Sequence, residues 1–191
     1  MKKIVFATTN AGKLAEARFV LKRFGIRVEQ AGLELPEGRS DELSEIAAGK
    51  AEAALHALRK PVVVDDTGFY LRAYKNFPGA FSKWVFNAIG REGIQKLVEG
   101  KARGAFFKTV VAFSEPGMAQ PRLFKGVEDG RVASSVGPVT DSSLPYDPLF
   151  LPCGGKVRKV YSQMSLREKL AHSSRAKAFE AFAKWFVKRG G

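Results

Sequence analysis

Val62-Val63-Val64-Asp65-Asp66-Thr67-Gly68 is the stretch on which the fold turns. Three consecutive valines after Pro61 read as a fully buried strand, of the kind found inside α/β sheets. That strand runs straight into two acids. Carboxylates at the end of a buried strand are held rigidly and cost desolvation energy unless they are partnered. In parallel sheets, ligands bind at that end. Mg²⁺ takes oxygen ligands and accepts one or two carboxylates together with substrate phosphates. Asp and Gly are also common where a strand leaves into a turn. Two adjacent acids serve packing poorly, however, so a functional role for Asp65 and Asp66 is favoured.

The flanks of this strand extend the same pattern. Residues 3–7 (Lys-Ile-Val-Phe-Ala) read as a buried first strand, Thr8 to Gly12 as a polar loop, and residues 13–24 as a helix stopped by Gly25. In that helix Leu14, Ala17, Phe19, Val20 and Leu21 recur near helical spacing. Ile26 to Gln30 is a second short strand. A loop with Gly32, Pro36 and Gly38 leads to a long Ala-rich helix from Asp41 to Arg59. Beyond Pro78-Gly79 helices are expected near 80–89 and 91–99, then a strand over 103–113. Residues 121–133 suggest two strands joined through Glu128-Asp129-Gly130, a hairpin signal. Leu149-Phe150-Leu151 is another strand, and Ser165-x-x-Glu168 is a capping box opening a short helix. The last helix begins near Ser173 or Ser174, with Phe179, Phe182, Ala183, Phe186 and Val187 on one apolar face. The fold class is therefore α/β with a mixed sheet. With 191 residues and no linker-like stretch, one domain, or one domain folded as two lobes, is expected.

Composition narrows the function. Cys153 is the only cysteine, which excludes a disulfide within these residues and a multi-cysteine zinc site. His56 and His172 are the only histidines, which argues against a histidine-built metal centre. No apolar run approaches the ~20 residues needed to cross a membrane. The N-terminal stretch reads as a strand rather than a signal peptide, so the expected location is the cytoplasm. The net charge is +13, unevenly spread. Residues 1–30 carry seven basic and two acidic side chains, residues 31–66 four and eight, and residues 156–191 ten and two. Basic ends around an acidic middle suit a polyanion held with a cation. The same surplus is compatible with non-specific nucleic-acid affinity.

Two further places carry possible chemistry. Thr8-Thr9-Asn10-Ala11-Gly12-Lys13 lies between a strand and a helix N-terminus, where free backbone N–H groups suit phosphate. It is not a Walker loop: the first glycine is absent, and Leu14 follows the lysine where Ser or Thr is required. The plain alternative is an N-cap by Thr9 or Asn10 beside an exposed lysine. The second place is Lys169, His172, Ser173, Ser174 and Arg175 at the start of the last helix. Arg175 could grip a phosphate with its fork, although by itself this set reads as a solvated basic face.

Taken in order, the landmarks resemble the inosine/xanthosine triphosphate pyrophosphatases of the Ham1 type, over about residues 3–189. They are Ile4 to Lys13, Leu35-Pro36-Glu37, Val64 to Gly68, Phe77-Pro78-Gly79 with Lys83-Trp84, Tyr146-Asp147-Pro148, and Met164 with Glu168-Lys169 before Arg175. The resemblance implies an elongated mixed sheet flanked by helices. Two lobes would enclose a nucleotide cleft, usually in a homodimer. It also implies Mg²⁺-dependent hydrolysis of non-standard purine triphosphates to the monophosphate and pyrophosphate. On this resemblance Thr8, Thr9, Asn10, Ala11, Gly12 and Lys13 hold phosphates. Glu37 and Asp66 bind Mg²⁺ with Asp65 close by, and Asp66 accepts the proton of the attacking water. Thr67 touches substrate, Lys83, Lys169 and Arg175 sit in the cleft, and Leu144, Pro145, Tyr146 and Asp147 form part of the base pocket. The resemblance leaves open whether Lys50 is a further nucleotide contact, because the loop before it varies in length. No membrane and no specific nucleic-acid partner is implied.

The chain departs from that pattern twice. Where the family usually has Gly-Phe-Gly before Tyr-Asp-Pro, this sequence reads Ser142-Ser143-Leu144-Pro145, so no ring is offered for stacking. Ser174 stands where the family has a histidine. Both changes fall in the part that reads the base, so relaxed or shifted base selectivity is expected. The alternatives are a Maf-like nucleotide pyrophosphatase and, from another class, a basic nucleic-acid-binding protein. The latter leaves Glu37, Asp65 and Asp66 without a purpose.

Overall fold

A computed structural model describes residues 2–38, 40–140, 144–153 and 158–189. Ser142 and Ser143 therefore lie outside the described residues. In chain order the elements are β1 (Lys2–Ala7), α1 (Ala11–Lys22), β2 (Ile26–Ala31), α2 (Leu43–Leu58), β3 (Val62–Leu71) and β4 (Phe77–Gly79). They continue with α3 (Ser82–Leu97), β5 (Gly104–Ser114), β6 (Arg122–Val132), β7 (Phe150–Pro152), α4 (Leu166–Leu170) and α5 (Ser174–Lys188). The strands form one mixed sheet in the order β2-β1-β3-β5-β6-β7, with β4 also on β3. β2, β1 and β3 run parallel, and the remaining pairings are antiparallel. Among the described residues no helix is long and apolar enough to cross a membrane.

Pleat alternation divides the core. Val63, Val111 and Phe113 face α1 and α5, where they meet Leu14, Ala17, Phe179 and Phe182. Val62, Val64, Val110 and Ala112 face the alanine side of α2. Toward the far end of β3, Phe69 and Leu71 join Ala105, Tyr146, Phe150 and Ile94 of α3 in a third cluster. Phe19 and Val187, expected on apolar faces, are exposed. Phe19 falls between the buried positions of α1, whereas Val187 is in phase with Ala183 but lies in the last turn of α5, beyond its last buried residue. α3 carries a break at Gly90 (φ 61°, ψ −167°), which leaves two helical segments as expected.

Two boundaries differ from the sequence reading. β3 does not end at the acids but continues to Leu71, because β5 pairs with it residue by residue from Val62↔Ser114 to Leu71↔Ala105. β6 is one strand through Glu128-Asp129-Gly130, not a hairpin. There Gly130 serves close packing rather than a turn. A Cβ would lie 2.4 Å from the Phe150 ring and 2.5 Å from the Leu151 carbonyl oxygen of β7.

The edge of β3 away from β5 creates the opening. β1 pairs with Val62 and Val63, and β4 pairs with Phe69 to Leu71. Between them, Val64 to Gly68 have no strand partner on that edge among the described residues. A cleft of about 730 Å³ opens there.

Candidate active site

The loop after β1 delivers the first wall. Thr8 N–H donates to the Ala31 carbonyl, the Thr8 hydroxyl accepts from Asn10 N–H, and Gln30 donates to the Thr8 carbonyl. The Asn10 side chain caps α1 by accepting from Lys13 N–H at 2.9 Å. Thr8, Thr9, Asn10 and Lys13 line the cleft. Ala11 is exposed and Gly12 half-buried, and neither lines it. Gly12 instead lies beneath Leu144, whose Cδ2 would be 2.9 Å from any Cβ placed there.

β3 delivers the second wall, and its pleat separates the two acids. Asp65 points toward α1 and α5. Its carboxylate meets Lys13 Nζ at 3.2 Å and Arg175 Nε at 2.9 Å. Burial opposes its charge, yet the two cations hold the carboxyl below the usual range. Asp66 points toward α2, where Lys50 Nζ lies 3.3 Å from it and 2.9 Å from Glu37. Burial pushes the Asp66 carboxyl up, against the opposing pull of Lys13 and Lys50. Glu37 also meets Lys83 at 2.8 Å. Partial burial works against its charge, but hydrogen bonds from Lys83 and Lys50 hold it down to about 2. Asp65, expected beside a metal with Glu37 and Asp66, thus has its carboxylate on the opposite face of the strand from them.

The third wall is the C-terminal set, and it is not a solvated face. Lys169, Ser174 and Arg175 are all buried. Arg175 Nη1 meets Glu16 at 2.5 Å and Nη2 donates to the Thr67 hydroxyl at 3.1 Å. Thr67 is 2.9 Å from Thr109, which is 2.8 Å from Ser174. Lys169 Nζ lies 2.7 Å from Glu16 and 2.6 Å from Asp147. Asp147 accepts from Leu144 N–H at 3.0 Å, which closes the Leu144–Asp147 turn. Tyr146 anchors that turn: its ring stacks on Phe69 and its hydroxyl donates to the Ser82 carbonyl.

Lys13, Asp65, Arg175, Glu16, Lys169 and Asp147 therefore alternate in sign along one buried chain. Three cations balance three carboxylates, as charges removed from water require. Sequence reasoning missed Glu16, which is only 3 % exposed. A signal was present: Glu16 stands three residues after Lys13, on the same side of α1.

Glu37 and Asp66 are also the pair that could hold a divalent cation. No cluster of three candidate metal-ligating residues exists among the described residues. Two carboxylates suffice for Mg²⁺ when substrate phosphates complete its shell. The Lys50 ammonium, shared between Glu37 and Asp66, is a stand-in cation at that position, so the residues fit the group.

Comparisons with known proteins agree on one relationship. The Ham1 family model matches residues 4–185. A Methanopyrus kandleri protein named dITP/XTP pyrophosphatase is 43% identical over 185 residues, covering 96% of both chains. A Methanosarcina mazei protein of the same name is 39% identical, covering 98% of both. Among solved structures, the Ham1 protein of Staphylococcus aureus matches with a TM-score of 0.76 and 28% identity, over 98% of this chain and 100% of its own. A HAM1 protein from Coxiella burnetii matches with a TM-score of 0.77 and 26% identity, over the same shares.

Proposed function

This chain belongs to the Ham1 family, and from that premise we propose that it is a nucleoside triphosphate pyrophosphatase. It hydrolyses non-standard purine triphosphates such as dITP, ITP and XTP to the monophosphate and pyrophosphate. The observation that carries the reading is the Glu37–Lys50–Asp66 cluster facing the Thr8–Lys13 loop across one cleft. It puts paired carboxylates and a cationic loop around a space of nucleotide size.

In this reading the loop from Thr8 to Lys13, with Lys50 and Lys83, receives the triphosphate. Lys50 and Lys83, here paired with Glu37 and Asp66, would be free to meet phosphate oxygens once those carboxylates hold a metal. Glu37 and Asp66 would hold the divalent cation, taken to be Mg²⁺, which when bound would neutralise phosphate charge. Asp66, its carboxyl raised by burial, orients the attacking water and accepts its proton. The linkage between the α and β phosphates breaks and pyrophosphate leaves toward the cationic loop. Asp65 touches no phosphate in this account; it fixes Lys13 and Arg175. The Leu144–Asp147 turn, Lys169, Ser174 and Arg175 form the base end, and Thr67 links it to β3. Leu144 offers apolar contact without stacking, which favours a base preference below a hundredfold over adenine and guanine.

We assign the chain to one domain of two lobes, one around the α1, α2 and α5 clusters and one around Phe69 and Phe150. A homodimer is part of this reading, on the strength of the family resemblance. The test is product analysis by ion exchange after incubation with dITP or XTP and Mg²⁺. Monophosphate with pyrophosphate is expected; orthophosphate release, or no hydrolysis, contradicts the reading.

A further inference from the structure

The buried charge chain contains one carboxylate that has no part in the reaction just described. Glu16 sits on α1 with each oxygen given to a different element: Oε1 to Lys169 of α4 at 2.7 Å, Oε2 to Arg175 of α5 at 2.5 Å. Lys169 continues to Asp147, whose carboxylate closes the Leu144–Asp147 turn. Arg175 continues to Asp65 and Thr67 of β3. The same helix also supports the turn from below, because Gly12 packs under Leu144. Gly12 and Glu16 are four residues apart, so they share one face of α1. Lys13, between them, ties α1 to Asp65.

We infer that Glu16 is a positioning residue: it registers the Leu144–Asp147 turn against β3 and thereby sets how tightly the base end of the cleft grips its nucleoside. This inference rests on the functional reading above, in which that turn meets the base. Three features support it. Glu16 is the only described side chain that pairs with both Lys169 and Arg175, so it adds a charged link between the turn and the strand to the Tyr146–Phe69 stacking that also joins them. Its two contacts are charge-assisted and buried, the class of hydrogen bond that holds geometry best. A glutamine of the same shape has one acceptor oxygen, and its NH₂ group would face a cation. One of the two links must then be lost.

The claim separates a base-end effect from a general loss of structure. Glu16→Gln and Asp147→Asn are compared with wild type by calorimetric binding of inosine monophosphate and of pyrophosphate, and by KM and kcat for dITP. Each variant is expected to weaken inosine monophosphate binding and raise KM by about tenfold, the usual size of a coupling between contacting groups. Pyrophosphate affinity and kcat should stay within about threefold. The double variant should be no worse than the weaker single, because both cut one link. Equal losses of pyrophosphate and monophosphate affinity, additive effects, or unchanged binding in Asp147→Asn overturn the inference. If Glu16→Gln does not fold, Glu16→Asp, which keeps the charge but is too short to reach both Lys169 and Arg175, replaces it under the same split. A wild type that binds inosine monophosphate but hydrolyses nothing defeats the functional reading while leaving the positioning claim measurable. A wild type that neither binds nor hydrolyses defeats both.

Discussion

Asp65 and Asp66 are adjacent in sequence and face opposite sides of the sheet. Asp65 meets Lys13 and Arg175 on the α1–α5 side, and Asp66 meets Lys50 on the α2 side. One pleat thus splits two identical side chains between two tasks. The cations around Asp65 hold its carboxyl low despite burial, whereas burial dominates at Asp66 and lifts it.

The two asparagine variants should therefore differ in kind. Asp66→Asn is expected to lose roughly 10²-fold or more in turnover, the usual scale for a missing general base. It should melt at or above the wild-type temperature, because a raised carboxyl pKa means its charge is a cost to the folded state at neutral pH. Asp65→Asn should lower stability by about 3 kcal/mol, since it removes the carboxylate partner of Lys13 and one of the two carboxylates that neutralise buried Arg175. Thermal melts and pyrophosphate release on both variants check this pair of outcomes.

Lys50 occupies the position proposed for the metal. Lys50→Met should raise Mg²⁺ or Mn²⁺ affinity by about tenfold, equivalent to ~1.4 kcal/mol of relieved competition, while lowering kcat/KM. Calorimetric titration of metal without nucleotide reads the first effect directly. Unchanged or weaker metal binding would argue that Glu37 and Asp66 are not the ligands.

Glu16 supplies an acid-dependent part of the stability. Burial opposes its charge, but Arg175 and Lys169 overcome that and lower its pKa in the folded protein. A depressed folded value means that its stabilisation is complete above the ordinary carboxylate range and is lost as pH falls through the lowered folded value. Wild type should thus lose melting temperature over that acid range more steeply than Glu16→Gln. Parallel melting curves against pH for the two proteins would contradict this.

Two glycines should respond oppositely to alanine. At Gly126 a Cβ would lie 2.1 Å from the Ser174 carbonyl oxygen and 2.8 Å from the Ala178 nitrogen, both backbone atoms of α5. Gly126→Ala should cost at least ~3 kcal/mol, at the upper end of overpacking effects. At Gly12 the obstacle is the tip of the Leu144 side chain, which can turn aside. Gly12→Ala should be near neutral in stability, helped by up to about 1 kcal/mol of helix propensity, and should raise KM through the displaced Leu144. Chemical denaturation and steady-state kinetics separate the two.

Much of this architecture was legible in the chain. β1, α1, β2 and α5 were readable because Gly25 ends α1, Ser173 caps α5, and their apolar residues keep one period. The extent of β3 was not readable, because Asp-Asp-Thr-Gly has the composition of a turn and only pairing with β5 carries it on to Leu71. Glu128-Asp129-Gly130 misled for a similar reason. Its glycine answers to the approach of β7, and buried Glu128 is matched by Lys177 of α5 at 2.5 Å. Neither partner is near in sequence.

At the cleft, sequence order found the carboxylates and cations but not who holds whom. Lys169 and Arg175 looked like a solvated basic stretch because Glu16, which neutralises them, lies more than 150 residues earlier. Ala11 and Gly12 read as phosphate-loop residues from their place between Asn10 and Lys13, and neither lines the cleft. The helix starts at Ala11 and turns Gly12 toward Leu144.

The most direct test of the central claim is a comparison of kcat/KM for dITP, XTP, ATP, GTP, dTTP and CTP with Mg²⁺. Products are identified by ion exchange, with Asp66→Asn alongside. The account predicts monophosphate and pyrophosphate, fastest from dITP and XTP, with that activity lost in Asp66→Asn. Pyrophosphate release that survives Asp66→Asn, or dITP and XTP left intact by the wild type, would contradict it.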